Sequence, residues 1–264
     1  MKRNTERNVR MLLIAIMAVG LSTSARGQNG CIGVTGGPAP CVVLGSDYFS
    51  TQPGTFFLFP GVGDVALTGN PIGPGNTDTI VQRQANATIN GAPIPLQITA
   101  LSLQGTVNGT PIFVTLNPAD LGLDIGLMTI DGSLAGGTFT SSLDVFFDVC
   151  LAPGTGGIGC AAGTGPIFAS DILLVNPGAG WTPTPPPGGC LVTGPVGDQA
   201  ADCHTGLASN QDDFFVVGSV PECSGPNGCH VVTNGGTPEP KSLVLLGTAL
   251  VGLALIGKKF IASA

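Results

Sequence analysis

Residues 139–149 are Phe-Thr-Ser-Ser-Leu-Asp-Val-Phe-Phe-Asp-Val, and this stretch determines the predicted fold class. Its apolar side chains share one phase of an extended chain: Phe139, Leu143, Val145, Phe147 and Val149. Asp144 and Asp148 share the other phase, with Phe146 between them. Because successive side chains of a strand point to opposite faces, the alternation predicts a half-buried β-strand whose carboxylates face water.

Similar short apolar segments recur along the chain, separated by Gly, Pro and Asn-Gly signals. The further predicted strands are 55–59, 64–67, 79–83, 94–98, 101–103, 112–116, 127–131, 167–175 and 214–217. The apolar phase slips near Thr99-Ala100, which predicts a β-bulge or a kink between two strands. Asn90-Gly91 and Asn108-Gly109 are hairpin signals. Many short strands, with no amphipathic helix of three turns in the body, predict an all-β fold: an antiparallel β-sandwich of jelly-roll or immunoglobulin-like type.

One β-sandwich domain is predicted for residues 28–233, with a Pro-rich loop at 176–189. The segment 190–236 contains one convincing apolar strand, at 214–217, which is too little for a core of its own unless disulfides hold it. We therefore interpret this segment as the last part of the sandwich. A separate Cys-rich module is the alternative.

Residues 1–27 have the pattern of a secretory signal peptide. Four basic residues within 1–10 precede an apolar run at 11–21, and the small residues of Ala25-Arg26-Gly27 follow. Cleavage is predicted before Gln28, with cleavage after Ala25 as the alternative. The predicted partners at this end are the Sec translocon and signal peptidase.

The C-terminal region combines a linker at 234–240, which carries Pro238-Glu239-Pro240, with an uncharged run and a basic pair. The prolines prevent a helix from passing through them. Residues 241–264 are predicted to form a membrane helix with a basic tail, although its apolar part is only about 21 Å long against a hydrocarbon core of about 30 Å. The predicted anchor residues are Leu243, Leu246, Leu250, Leu253, Ile256, Lys258 and Lys259.

The order of tripeptide, uncharged helix and basic pair resembles the PEP-CTERM sorting signal of Gram-negative bacteria. The resemblance implies cleavage near Pro238-Glu239-Pro240 by an exosortase-type membrane protease. It also implies a transient inner-membrane anchor, followed by delivery to the cell surface or an exopolysaccharide-containing matrix. Segments 77–83, 94–103 and 143–149 resemble parts of uncharacterised all-β PEP-CTERM proteins, which implies a shared β domain of unknown role.

Charge is distributed unevenly along the chain. Of 9 Lys and Arg residues, five lie within 1–26 and three within 241–259, so Arg83 is the only one between these segments. The interval 28–240 contains all but one of the 16 Asp and Glu residues. Because nucleic-acid binding requires clustered basic residues, the sequence argues against a nucleic-acid partner. Arg83 lies in a predicted strand, and we expect it to form a salt bridge with an aspartate.

The 8 cysteines fall into four close pairs: Cys31/Cys41, Cys150/Cys160, Cys190/Cys203 and Cys223/Cys229. An even number in an exported chain predicts disulfides. Many connectivities are possible, and pairing within each close pair is the simplest. Each such bond would pin a Gly-rich loop and contribute about 2–3 kcal/mol in the chain-entropy model.

Metal binding is the alternative to disulfide bonding for some of these cysteines. Cys203-His204 and Cys229-His230 offer zinc ligands without the usual zinc-site spacing, so neither zinc nor any other cofactor is predicted. Calcium is the better candidate, because acidic residues on predicted loops offer oxygen ligands. The candidate segments are Asn76-Thr77-Asp78, Asp120 with Asp124, and Asp212-Asp213, with solvated surface acids as the alternative.

Catalysis has little support in the sequence, which lacks the Gly-x-Ser-x-Gly, His-Glu-x-x-His, phosphate-loop and Rossmann patterns. The single Trp181 and single Tyr48 offer few platforms for stacking on sugars. We therefore expect no enzyme, but an exported structural or adhesive protein of the surface or extracellular matrix. The first alternative is a carbohydrate- or calcium-binding module associated with exopolysaccharide. The second is a secreted hydrolase, whose paired carboxylates would be defined only in three dimensions.

Overall fold

The computed structural model describes residues 40–73, 75–185, 193–194, 203–204 and 211–235. Its strands are β1 (Cys41–Val42), β2 (Gly45–Thr51), β3 (Phe56–Phe59), β4 (Gly63–Gly69), β5 (Thr79–Arg83), β6 (Ala87–Thr88), β7 (Ile94–Val107), β8 (Thr110–Leu116), β9 (Ile125–Ser133), β10 (Gly136–Cys150), β11 (Phe168–Thr182), β12 (Thr193–Gly194), β13 (Cys203–His204), β14 (Gln211–Asp212), β15 (Phe215–Val216), β16 (Val220–Cys223) and β17 (Gly228–Asn234). Two short 3-10 turns, Thr155–Gly157 and Gly225–Asn227, accompany them. The all-β prediction is confirmed over these ranges.

The predicted fold class also included a C-terminal transmembrane helix, and this part is corrected. Over the described ranges, no helix has the length and apolar character needed to cross a bilayer. The prediction rested on the uncharged run at 243–256, which is short for a bilayer even if it is helical. That run, with the whole of 241–264, lies outside the described residues.

One antiparallel sheet of 12 strands folds over the core and closes on itself. The circuit runs β7–β8–β10–β11–β16–β17–β3–β4 and returns to β7. Further strands pair with members of this circuit. β9 pairs with both β7 and β10, and β5 pairs with β7 on one side and with β2 on the other. The layered arrangement is consistent with the predicted sandwich, whereas its closure was not predicted.

The side chain of Asn234 links β17 to β15, a strand that lies outside this circuit and pairs with β11. Its Nδ2 donates to the Val216 carbonyl at 2.7 Å, and its Oδ1 accepts from the Val216 N–H at 3.0 Å. The amide therefore imitates the pair of hydrogen bonds that a neighbouring strand would make.

β10 confirms the alternation on which the fold prediction rested. The apolar residues of its inward phase are all buried: Phe139, Leu143, Val145, Phe147 and Val149. The strand pairs with β11 along one edge and with β9 and β8 in succession along the other. Inside the core, the Phe147 ring meets Phe57 edge-on at 4.8 Å between centroids, a favourable aromatic arrangement.

β7 contains the predicted irregularity and one of the two predicted hairpins. The register between β5 and β7 passes from Ile80↔Ala100 to Val81↔Ile98, so Thr99 is the extra residue of a β-bulge. Asn108-Gly109 joins β7 to β8 with positive φ at both residues, as the two-residue hairpin requires. Asn90-Gly91 also turns the chain, but β6 pairs with β1 and not with β7, so the hairpin prediction there was wrong.

The Pro-rich loop predicted at 176–189 was wrong in its first half. β11 continues to Thr182, and a bulge opposite Phe139 and Ser141 accommodates Pro177 and Gly178. Residues after 210 add β16 and β17, which the sequence analysis missed, and these pair with β11, β2 and β3. The segment 215–234 therefore belongs to the main sheet.

Two of the four predicted disulfides are present in the described residues. Cys150–Cys160 closes the turn after β10, and Cys223–Cys229 joins β16 to β17. Cys41 is also disulfide-bonded, and the described part of the chain contains no free cysteine. Cys31 and Cys190 lie outside the described residues, and of Cys203 only the backbone is described.

Candidate functional site

The residues predicted for sorting and anchoring lie beyond the described ranges, which end at residue 235. They are Pro238, Glu239, Pro240, Leu243, Leu246, Leu250, Leu253, Ile256, Lys258 and Lys259. The candidate sites that can be examined are therefore the polar clusters of the β domain.

The zinc alternative fails at Cys229 and His230. Cys229 is oxidised in the bond to Cys223, so it offers no thiolate. His230 is buried and its Nε2 lies 3.0 Å from the Thr51 hydroxyl. Over the described ranges, no group of three or more acidic, histidine or cysteine side chains is arranged to hold a metal ion by itself.

Arg83 forms the predicted salt bridge, and its partner is Asp47. Both residues are buried, and the Arg83 Nε also donates to the Val43 carbonyl at 3.0 Å. The guanidinium lies 5.4 Å from the centre of the Phe214 ring. The only Lys or Arg between residues 27 and 240 is thus fixed inside the domain.

Asp78, a predicted calcium ligand, is instead part of a buried hydrogen-bond network. Its carboxylate accepts from the Thr51 N–H at 2.8 Å and from the hydroxyls of Thr51 and Thr79 at 2.7 and 2.8 Å. Gly69 packs against it so closely that a Cβ there would overlap the carboxylate. Asp78 therefore secures β5 to β2, and its role is structural.

The Thr51–His230 contact does not activate a nucleophile. The Thr51 hydroxyl has one proton, which it donates to Asp78, so the Nε2–H of His230 must be the donor toward Thr51. Burial lowers the pKa of His230 to about 4, which keeps the ring neutral. A general base would need to accept the hydroxyl proton, and here the ring cannot do so.

Glu222 is another buried acid. It lies opposite His230 in the β16–β17 ladder, and its Oε1 accepts a hydrogen bond from the Ser141 hydroxyl at 3.0 Å. Burial raises the pKa of Glu222 to about 7, although the Ser141 hydrogen bond opposes the rise. The carboxyl is therefore largely protonated in mildly acidic solution while the protein is folded.

Glu222 should make stability depend on pH. Below pH 4.5 the carboxyl is protonated in both states, and above that value it ionises first in the unfolded chain. As pH rises from 4.5 toward about 7, we expect the free energy of unfolding to lose up to about 3 kcal/mol through this group. Urea unfolding of wild type and Glu222→Gln at pH 4.5 and pH 8 measures the effect.

The glutamine variant should match wild type at the lower pH and exceed it at the higher pH. His230 acts in the opposite direction, because its depressed pKa costs stability as pH falls below 6.5, but this contribution is common to both proteins. If the free energy of unfolding changed with pH by the same amount in both proteins, Glu222 would not be the titrating group.

The loop 117–124 joins β8 to β9 and runs along the edge of β10. Asn117 starts it, because its Oδ1 accepts from the Ala119 N–H at 2.8 Å and its N–H donates to the Phe146 carbonyl at 2.9 Å. Asp124 ends it, since its Oδ1 accepts from the Phe146 N–H at 2.6 Å. The loop thereby satisfies the backbone of β10 in the gap between β8 and β9.

Among the described residues, two carboxylate oxygens are buried without a hydrogen-bond partner: Asp124 Oδ2, at the end of this loop, and Asp148 Oδ1, on β10. Asp124 is fully buried and Asp148 is 4% exposed. Burial raises the pKa of Asp124 to about 6, with smaller contributions from the charges of Asp120 and Asp144. Burial likewise raises the pKa of Asp148, again with a contribution from Asp120.

These four aspartates form an acidic cluster, consisting of Asp120, Asp124, Asp144 and Asp148. The expectation that Asp144 and Asp148 both face water was wrong for Asp148, which is buried in the folded domain. The cluster does not suit hydrolysis of a polysaccharide. Two of its carboxylates are almost wholly excluded from solvent, whereas a glycosidase must expose both to its substrate.

The remaining calcium candidate, Asp212-Asp213, lies at β14. Asp213 is partly buried, and the side chain of Asp212 is not described. Among the described side chains of the predicted calcium segments, the one carboxylate oxygen that is buried without a hydrogen-bond partner is Asp124 Oδ2.

The aromatic residues weighed as sugar platforms are not arranged for that task. Trp181 is 2% exposed and stacks on Phe214 within the core, with 5.9 Å between ring centroids. Tyr48 is half-buried. One apolar cavity of about 440 Å³ is lined by residues that include Val62, Leu151 and Ile167.

Comparison with known proteins gives no further assignment: no family model, no curated protein and no solved structure matches the chain.

Proposed function

We propose that this protein is an exported structural or adhesive component of the bacterial cell surface or extracellular matrix. The observation that carries the proposal is a closed β domain in which two disulfides pin the turns around Cys150–Cys160 and Cys223–Cys229. Disulfides of this kind persist in oxidising compartments outside the cytoplasm. They stabilise a domain whose many glycines make its turns costly to order.

The described surface favours this role over the alternatives. The sole basic residue of the domain is buried with Asp47, and the sole Trp is in the core. Trp181 was the best candidate for a ring that stacks on a sugar, and its burial leaves it unable to contact one. The strongly acidic surface that remains favours solubility and association with cations.

The sorting hypothesis is tested at the tripeptide. Replacing Pro238-Glu239-Pro240 with three alanines should abolish C-terminal processing, because an exosortase-type protease would no longer find its motif. In the native host we expect wild type to be released to the surface or matrix in shortened form. The variant should remain full-length at this end and stay with the cell envelope.

Mass spectrometry of the fractionated protein measures both the processing and the compartment. A matched control replaces Thr237 and Ser242, which flank the motif, with alanine. Equal processing and release of wild type and the triple variant would contradict the sorting hypothesis.

A further inference from the structure

We propose that a cavity at three connections between strands binds a neutral amphiphile, a small molecule with an apolar body and an uncharged hydroxyl or carbonyl end. The connections are β3–β4, β7–β8 and β10–β11, and the cavity that their residues line has a volume of about 440 Å³. Small-molecule sites are typically about 300–1,000 Å³ in volume. The proposal is independent of where the protein is delivered and of the sorting hypothesis.

Exposed apolar side chains converge on this cavity. Among the described residues ten large apolar side chains are exposed, and three of them line the cavity: Val62, Leu151 and Ile167, at 49%, 54% and 57% exposure. Each comes from a different stretch of the chain between strands. Single exposed apolar residues need no explanation, whereas a group of them around one concave space is typical of a ligand site.

The backbone holds these three residues in place. The Val62 N–H donates to the Phe59 carbonyl at 3.0 Å, which closes the turn between β3 and β4. The Ile167 N–H donates to the Val149 carbonyl at 2.9 Å, and Leu151 directly follows the disulfide that closes the turn after β10. The cavity is therefore formed before a ligand arrives, so binding need not order the loops around it.

The buried part of the lining is apolar and aromatic. Phe59, Ile112 and Val149 are buried, and the Phe168 ring approaches Phe59 edge-on with 6.0 Å between ring centroids. These side chains offer a ligand dispersion contacts and removal of its apolar surface from water. The part of the ligand that reaches them must therefore be aliphatic or aromatic. A polysaccharide does not fit, because its hydroxyls would be buried there without hydrogen-bond partners.

Charge selects the other end of the ligand. Among the described residues no charged side chain lines the cavity, and Arg83, the only Lys or Arg between residues 27 and 240, is buried with Asp47. An anionic end would find no counter-charge and would be repelled by the acidic domain, and a cationic end would find no carboxylate in the lining.

Two polar side chains complete the lining, those of Asn108 and Thr110. Both are exposed, and neither side chain forms a hydrogen bond with another described residue. The Asn108 amide and the Thr110 hydroxyl can each donate a hydrogen bond and accept one. They therefore suit an uncharged hydroxyl or carbonyl at the polar end of the ligand.

The test uses the full-length protein with its disulfides formed and N-phenylnaphthylamine, a neutral dye whose fluorescence increases in apolar surroundings. Wild type should bind the dye saturably, and decanol should displace it. Decanoate has the same chain length and a charged end. It should displace the dye at least about tenfold less well, because its carboxylate would lose water without gaining a counter-charge.

Leu151→Asp and Ile167→Asp locate the dye. Each should weaken dye binding at least about tenfold, because a bound ligand would bury the new carboxylate. Leu127→Asp is the matched control: Leu127 on β9 is also 54% exposed, does not line the cavity, and its variant should bind the dye like wild type. All three side chains are exposed, so the variants should keep the wild-type circular dichroism spectrum.

Three results would overturn the site. The first is the absence of saturable dye binding by wild type. The second is equal dye affinity in all four proteins, which would mean that the dye binds elsewhere on the chain. The third is displacement by decanoate as effective as displacement by decanol, which would show that the ligand is not selected for a neutral end.

Discussion

Arg83→Met is expected to lower the free energy of unfolding by about 3–5 kcal/mol. The substitution leaves the Asp47 carboxylate, which is 4% exposed, without the guanidinium that neutralises it. It also removes the donor to the Val43 carbonyl and the cation above the Phe214 ring. A loss of this size is a large fraction of the about 5–15 kcal/mol that stabilises an ordinary domain.

Urea unfolding followed by circular dichroism measures the effect. The double variant Arg83→Met with Asp47→Leu is the informative control, because replacing a whole buried ion pair by apolar residues is often nearly neutral. We expect it to recover most of the lost stability. If Arg83→Met unfolds at the wild-type urea concentration, the pair contributes no net stability.

The elements that sequence alone predicted are those whose pattern is local. The alternation of apolar and polar residues over eleven positions predicted β10. The Asn108-Gly109 pair predicted the hairpin, because both residues tolerate the positive φ that its turn requires. The bulge at Thr99 follows from a slip in apolar phase within one strand. In each case the determining residues are close together in the chain.

The features that escaped prediction depend on contacts between distant segments. Asp148 has the spacing of a solvent-facing residue, yet it is buried in the folded domain. β17 carries few strong strand formers beyond Val231 and Val232, and it forms because β2, β3 and β16 provide partners. The sequence indicated Asp120 with Asp124, but the other two members of the acidic cluster, Asp144 and Asp148, come from β10.

The position of Trp181 in the core also could not be predicted from the local sequence. Pro177 and Gly178 precede it, and such residues indicate a loop. The β-bulge opposite Phe139 and Ser141 absorbs them, so the strand resumes and carries the indole inward. There its Nε1 donates to the Asp131 carbonyl at 3.0 Å.

Trp181→Ala should therefore cost about 3–5 kcal/mol, as expected for a large aromatic side chain deleted from a packed core. The variant loses the stacking on Phe214, leaves the Asp131 carbonyl without its donor and opens a cavity. Trp181→Phe keeps a ring against Phe214 and should cost less. Because Trp181 is the only tryptophan, far-ultraviolet circular dichroism in urea must follow all three proteins.

Arg83 and Trp181 both contact Phe214, so their effects should not add. Once either neighbour is removed, the Phe214 ring can shift, and the second substitution then disturbs a site that is already relaxed. We expect the loss in Trp181→Ala with Arg83→Met to be at least about 0.5 kcal/mol smaller than the sum of the single losses. A single loss for Trp181→Ala below about 0.5 kcal/mol would mean that residues 176–182 are a detached surface loop, as the composition of that segment first indicated.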